Sequence, residues 1–598
     1  MIRLKETRLL VGPVFTREVT TIPRSWRFYF SRALYVAALF GLVATARMIL
    51  SGSQEVRSLG DLARFGSAVF AVLAPLQLAV AVAFAALLTA AAVSQEKDRR
   101  TFDLMLMTNL TNAELVLGKL FSSILGVLVL GVAAIPLLML ITLLGGISYV
   151  QVARVVGVTL TAALAAGSLG SMLALWREKT FQSLALAALL LVLWLLGGEL
   201  IAAGLFGPDC WGITAQQWAI GLSPARAIMA AAEPLFRTET VFGWIGDPVN
   251  LFMLVACGLA VVLNLWAIAR VRVWNPAQET RLDAASTRQP TSDADQAAAR
   301  PTKSRPVWDN PILWREIRTW AYGKRILLIH VAYLIVFALC AAALFALLQD
   351  PASGQGHATL LPPAARPLVP LVLLGLVLVN ALAVTSLTSE RDLKALDLLL
   401  VTDLTPKEII FGKLGGIWYN AKEMILMPLL LGGLLWWHGL MGTEQLVFFA
   451  VTLLVMNAFV AILGIHAGMT YASSRTAVAV SLGTVLFLLL GIAVCMRMML
   501  AFQTSFSYQL QAFLAFILGG GIGLYVALGP RNRSAAIGYA SFGAPFATFF
   551  VITSFIEGNM GAAFLVAVAT YGFATAAMLI PAIDEFDVAT GRTSARDL

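Results

Sequence analysis

Eight carboxylates stand at matched spacing in two stretches of the chain. Glu96, Asp98, Asp103 and Glu114 lie in the first, and Glu390, Asp392, Asp397 and Glu408 in the second. Paired carboxylates can act as acid and base or hold a cation, but each role needs a nucleophile, a base or further ligands close by. The sequence supplies none of the motifs that would bring them. It has no G-x-x-x-x-G-K-[ST] loop for ATP phosphates, no H-E-x-x-H, no C-x-x-C and no G-x-S-x-G. The four histidines are well separated. Cys257, Cys340 and Cys495 sit in apolar runs and Cys210 lies alone in a loop, so no disulfide framework is predicted. The expectation is a chain with no catalytic residue, no metal site and no cofactor of its own.

The same residues have local roles to fill. Thr111-x-x-Glu114 and Thr405-Pro406-x-Glu408 have capping-box spacing, in which the hydroxyl accepts from the N3 amide and the glutamate returns to the cap amide. Pro406 falls at the first helical position, where its missing N–H costs nothing. Glu96, Asp98, Glu390 and Asp392 instead follow the ends of apolar runs, where negative charge opposes the dipole of their own helix. Two readings stand for them: a solvated face beside Lys97, Arg99, Arg100, Arg391 and Lys394, or a docking surface. Lys119 and Lys413 are expected to reach toward lipid headgroups.

The elements that must position these residues are membrane helices. Of 598 residues, 59% are hydrophobic and 13% charged, against about 25% charge in a soluble protein, and mean hydropathy is +0.84. Apolar runs of about 20 residues cross a bilayer core of roughly 30 Å only as helices. Fourteen spans are predicted: 33–50, 66–93, 118–145, 150–175, 182–205, 249–269, 325–348, 367–389, 417–441, 446–472, 476–496, 508–528, 535–556 and 560–582. Twelve are secure, and the pair 508–528 and 535–556 reads as either a crossing hairpin or a re-entrant pair. Ala44-Thr45-Ala46 resembles a leader cleavage site, but 32 residues precede Ala33, so 33–50 reads as a first span.

Charge sets the orientation. With the N-terminus inside, only Arg47, Arg57, Arg64, Arg154, Arg226, Arg237, Arg366 and Arg497 of the 42 basic residues fall outside, leaving 34 inside. The net charge of +9 is therefore read as the positive-inside bias and not as a nucleic-acid surface. Both termini are expected in the cytoplasm. Residues 275–309 are polar without apolar period and read as a flexible linker.

Few polar residues enter the spans. Glu199, Lys422, Glu423, Asn264, Asn380, Asn457 and His466 are the candidates, each weighed as an interhelical hydrogen bond against a pathway ligand. No chain of carboxylates suggests a proton relay. Pro136 and Pro428 stand in matching P-L-L contexts that could kink equivalent helices.

Self-similarity is the strongest signal. At an offset of 294, residues 96–120 and 390–414 share 12 identities in 25 positions, including all eight carboxylates and Gly118-Lys119-Leu120. GPVFTREVTT at 12–21 echoes NPILWREIRT at 310–319, setting Arg17-Glu18 opposite Arg315-Glu316 on segments that read as amphipathic helices at the membrane surface. An even number of spans per copy makes the repeats parallel, related by an axis along the membrane normal.

An Arg-Glu surface segment, two helices and then E-x-D-x4-D-L-x-L-x-T-x-L-T-x2-E-x3-G-K-L resembles the permeases of type-2 ABC exporters. The resemblance covers most of each half and weakens after residue 496. It implies two fused permease units of six-helix type, whose carboxylate-bearing segments dock on two copies of a cytoplasmic ABC ATPase that binds ATP and magnesium. It also implies a bacterial inner (plasma) membrane, with lipid as the other partner. The expected organisation is a first unit over 1–274, the linker, and a second unit over 310–598 enlarged by 508–556. The rival readings are a secondary transporter with parallel repeats, which would need ion sites at the midplane, and a membrane enzyme such as a lipid-modifying transferase.

Overall fold

The computed structural model describes residues 12–21, 26–53, 58–204, 209–210, 213–233, 247–276, 307–318, 326–349, 363–501, 506–530 and 534–587. Most of the expected linker, residues 277–306, lies outside them, as do Arg592 and Arg596. In the first half, α1 is Gly12–Thr21, α2 Trp26–Ser53, α3 Leu59–Asp98, α4 Thr101–Leu106, α5 Asn112–Ala133, α6 Ile135–Thr142, α7 Tyr149–Trp176, α8 Thr180–Ala202, α9 Ala215–Leu222, α10 Pro224–Ala232 and α11 Pro248–Trp274. In the second, α12 is Pro311–Arg318, α13 Ile326–Gln349, α14 Leu368–Asp392, α15 Ala395–Leu400, α16 Pro406–Asn420, α17 Lys422–Trp437, α18 Thr443–Thr470, α19 Ser474–Ala501, α20 Phe506–Leu528, α21 Ala535–Ile556 and α22 Met560–Asp584. The only strands among the described residues are the antiparallel pair Asp209–Cys210 and Ile213–Thr214.

Thirteen helical stretches are long and apolar enough to cross a bilayer, so the chain is an all-α polytopic membrane protein. The expected span 417–441 is the exception. Its path is broken at Ala421 (φ −103°, ψ 7°) into α16 and α17. Pro428 lies seven residues past the break, inside α17, whereas Pro136 follows directly on the break between α5 and α6, so the two prolines do not kink equivalent points.

The 294-residue offset persists in three dimensions. It relates the C-terminal ends of α3 and α14, the whole of α4 and α15, the starts of α5 and α16, the whole of α7 and α18, and the starts of α8 and α19. α7 lies along α3 and α18 along α14. A Cβ at Gly170 would collide with the Ala86 carbonyl, and one at Gly464 would sit 3.0 Å from the carbonyl of Asn380, the residue 294 beyond Ala86. Both helix pairs thus approach through the same small residue. Between the halves α3 meets α19 and α8 meets α14, a reciprocal arrangement that joins buried residues of both into the largest of several apolar clusters.

α3 has 40 residues and spans about 60 Å at 1.5 Å per residue, twice the hydrocarbon thickness. Because the C-terminal ends of α3 and α14 match at the 294-residue offset, the extra length of α3 lies at its N-terminal end. The motif ends of α3 and α14 lie together, and this end of the molecule is called the motif face below.

Candidate functional site

Glu96, Lys97 and Asp98 close α3, and each serves a different neighbouring helix. Glu96 is ion-paired with Lys119 of α5. Lys97 Nζ donates to the carbonyls of Leu175 at 2.5 Å and Arg177 at 2.9 Å, where α7 ends with unsatisfied acceptors and a partial negative charge. Asp98 accepts from Thr180 Oγ1 at 2.6 Å at the start of α8, where the dipole favours an anion. The charge that opposed the dipole of its own helix thus complements that of the next.

The second copy repeats this chemistry at residues 294 further on. Glu390 is ion-paired with Lys413 at 2.6 Å. Arg391 Nη1 donates to the carbonyls of Gly468 at 2.9 Å and Tyr471 at 2.7 Å, closing α18. Asp392 accepts from the Ser474 hydroxyl at the start of α19. Arg100 and Lys394 follow with φ of 59° and 57°, the only non-glycine residues with positive φ among those described. This left-handed step turns the chain sharply out of α3 and α14 into the short helices α4 and α15.

The surface helix adds a further layer in the second half. Lys413 Nζ lies 2.6 Å from Glu316 Oε1, Arg315 Nη2 lies 3.2 Å from the same oxygen, and Arg315 also pairs with Glu390. Burial would raise the Glu316 carboxyl, but the Lys413 ammonium and the Arg315 guanidinium outweigh it and hold it below the ordinary range. A Cβ on Gly416 would come 2.5 Å from Glu316 Cβ, so glycine is what lets α12 press this closely on α16. In the first half α1 likewise packs on α5. There Arg17 is exposed, and the Glu18 side chain lies outside the described residues.

These contacts revise two expectations. Lys413 does not reach for headgroups: its side chain is 2% exposed and bound to two glutamates. Lys119 is likewise buried and turned to Glu96. The side chains of Glu96, Asp98, Glu390 and Asp392 are engaged within the protein. Glu114 and Glu408 complete both capping boxes with Thr111 and Thr405. Those two backbone and hydroxyl hydrogen bonds from Thr405 lower the Glu408 carboxyl.

What the clamps leave outward is α4 and α15. Phe102 and Leu396 point inward. Asp103 and Asp397 stand in the first turns. Leu104 is 64% exposed and Met107 52%, and their counterparts Leu398 and Val401 are 73% and 86% exposed. Three residues apart, the members of each pair share one face. Leu104 and Leu398 were among the 12 identities, so the signal was present in the sequence. The roles of Lys97, Arg391, Thr180 and Ser474 were not anticipated, because each joins segments about 80 residues apart.

The remaining polar residues of the spans find partners inside the protein. Glu199 pairs with Arg226 at 2.6 Å, Asn264 donates to Ser168, Asn380 donates to the Val460 carbonyl and accepts from Ser481, and His466 meets the Leu528 carbonyl at 2.8 Å. Asn457 bonds within its own helix, to the Leu453 carbonyl. No group of three or more metal-ligating side chains occurs among the described residues. Comparison of the chain with protein-family models, curated proteins and solved structures gives no match.

Proposed function

We propose that the chain is the membrane subunit of an ATP-driven exporter, with the motif face in the cytoplasm and α4 and α15 receiving two copies of a separate ABC ATPase that binds ATP and magnesium. The observation that supports this most is the duplicated outward face Leu104/Met107 and Leu398/Val401 on short helices that follow equivalent clamps. Two equivalent exposed apolar pairs fit a partner present twice, which covers one pair with each copy. Each clamp ties the end of α3 or α14, from which the short helix follows directly, to three neighbouring helices. A push on α4 or α15 is thereby delivered to α5, α7 and α8, or to α16, α18 and α19, and so to the seam between the units. Export, the inner membrane and the fused-permease organisation belong to this same reading.

The test is affinity purification of the tagged chain from native membranes with mass spectrometry of what is retained. A P-loop ATPase is expected with the unaltered chain and is lost, by tenfold or more, from Leu104→Asp/Leu398→Asp, with membrane insertion unchanged. Retention of the same ATPase by the double variant, or of none by the unaltered chain, refutes the reading.

A further inference from the structure

The first spans of the two units are seated differently. α13, the first span of the second unit, packs on α8 of the first. Its counterpart α2 packs on α20 in place of α19, the counterpart of α8. The cause is the insertion in the second unit. Between α8 and α11 stand only α9 and α10, of eight and nine residues, whereas between α19 and α22 stand α20 and α21, of 23 and 22. Where α2, α19, α20 and α21 converge they leave a cavity of about 540 Å³, its mouth included, whose walls include Leu42, Phe487, Gly491, Phe513, Pro545 and Phe549. A Cβ on Gly491 would meet nothing within 4 Å beyond its own helix backbone.

The walls select hydrocarbon. Thr548 carries the one hydroxyl on them, and it is already engaged, donating to the Ala544 carbonyl at 2.7 Å and lying 3.0 Å from the Tyr571 hydroxyl. A water there would need two or more polar partners, and an empty space would forfeit dispersion contacts on every wall. The depth fits the same occupant. Gly491 lies 17 residues past Ser474, about 26 Å from the motif face along α19, within the apolar core and toward its other edge. Charge waits at that edge. Arg497 stands six residues beyond Gly491 and Arg47 five beyond Leu42, each about 8 to 9 Å further along its helix. Both are exposed, and neither has a hydrogen-bond or ion-pair partner among the described residues. We propose that α2, α19, α20 and α21 form a binding site for a phospholipid of the leaflet away from the motif face, with one acyl chain in the cavity and the phosphate at Arg47 and Arg497.

The arginines come one from each unit, and both stand against the positive-inside bias that 34 of the 42 basic residues follow. A guanidinium fork matches phosphate oxygens in pairs, and basic positions between spanning helices hold lipid head groups in this way. The chain below them fills the joint between α2 and α19 that α13 and α8 close by direct packing. The lipid thereby links the first span of one unit to the inserted hairpin of the other.

The experiment needs neither an ATPase nor a transported substrate, so its outcome is separate from the function proposed above. The full chain is placed in nanodiscs of equal parts phosphatidylethanolamine and phosphatidylglycerol, doped with phosphatidylglycerol that carries a diazirine in one acyl chain. After irradiation, mass spectrometry is expected to find the adduct concentrated on α19 and α20 at the cavity, with capture down about tenfold in Gly491→Phe. That side chain enters open space and replaces a helix-interior glycine, so the melting temperature should not fall. Arg47→Gln/Arg497→Gln should also lower capture about tenfold, while capture of a diacylglycerol probe with the same chains stays as it was. Adduct spread evenly over the lipid-facing helices, or undiminished in Gly491→Phe, overturns the proposal. Equal capture of the phospholipid and diacylglycerol probes by the unaltered chain overturns the phosphate contact and with it the phospholipid. Should Gly491→Phe be destabilised, Cys495→Phe fills the same cavity from the next turn, and undiminished capture there overturns the site equally.

Discussion

Arg99 and Asp392 form an ion pair across the two halves of the chain, Nε to Oδ1 3.2 Å, beside a second crossing contact from Gln95 to Ser473 at 3.3 Å. The pair has no reciprocal partner, because the residue 294 beyond Arg99 is Leu393. The motif ends of α3 and α14 are therefore alike in fold and unequal in charge. Arg99→Leu, which makes the two ends equal, should lower stability by less than about 1 kcal/mol, since the arginine is 46% exposed and solvent already screens it. Arg99→Glu sets a carboxylate against the buried Asp392 and should cost clearly more. Thermal unfolding in detergent orders the two variants, and equal melting temperatures would remove the pair from any role in joining the halves.

Lys413 is the most enclosed charge of the motif face. Lys413→Met leaves Glu316 and Glu390 sharing Arg315 alone, which should cost less than the roughly 3–5 kcal/mol of a buried charge left with no partner. Adding Glu316→Gln should recover part of the loss by leaving Arg315 to Glu390 alone. The sign with pH follows from the depressed Glu316 carboxyl. Its contribution is fully present above the ordinary value of 4.5 and is lost as pH falls below that toward the folded value. Acid unfolding midpoints should thus shift upward in Lys413→Met relative to the unaltered chain, and an unchanged midpoint would show that the network carries no linked stability.

The motif face was partly legible in the sequence. Both capping boxes, at Thr111/Glu114 and Thr405/Glu408, were readable because their partners are three residues apart. The repeat was readable because identity at a fixed offset needs no structure. The clamps were not, since Asp98 and Thr180 stand 82 residues apart and only the packing of α8 beside α3 brings them together. The break at Ala421 was also hidden. No glycine or proline marks it, and the run 417–441 keeps the hydropathy of an unbroken span. The polar residues at 420–423 were the visible trace.

Topology yields a prediction that does not depend on any partner. If the motif face is cytoplasmic, single cysteines at Arg100 and Lys394 resist an impermeant thiol reagent in intact cells, while one at Gly439, at the opposite end of α17, reacts. The positive-inside distribution of the 42 basic residues sets this expectation. Reaction at Arg100 or Lys394 from outside would invert the orientation and remove the cytoplasmic docking of α4 and α15.

The segment 508–556 gives the sharpest case. It forms α20 and α21, of 23 and 22 residues, packed against each other, and each contains a stretch long and apolar enough to cross. The Leu528 carbonyl at the end of α20 receives His466, and the Ala527 carbonyl accepts from the Tyr471 hydroxyl at 2.7 Å. His466 and Tyr471 belong to the end of α18 that Arg391 closes at the motif face. The end of α20 is therefore level with that face, while α20 begins five residues after the far end of α19. At 1.5 Å per residue α20 covers about 34 Å between those levels, the thickness of a bilayer core. A re-entrant pair would turn back partway across, whereas the end of α20 reaches the level of the motif face, which favours the crossing hairpin. A cysteine at Pro530 should then behave as those at Arg100 and Lys394 do, protected in intact cells and reactive once the membrane is opened. Labelling of Pro530→Cys from the same side as Gly439→Cys would reduce the hairpin to a re-entrant element and bring the crossing segments of the second half down by two.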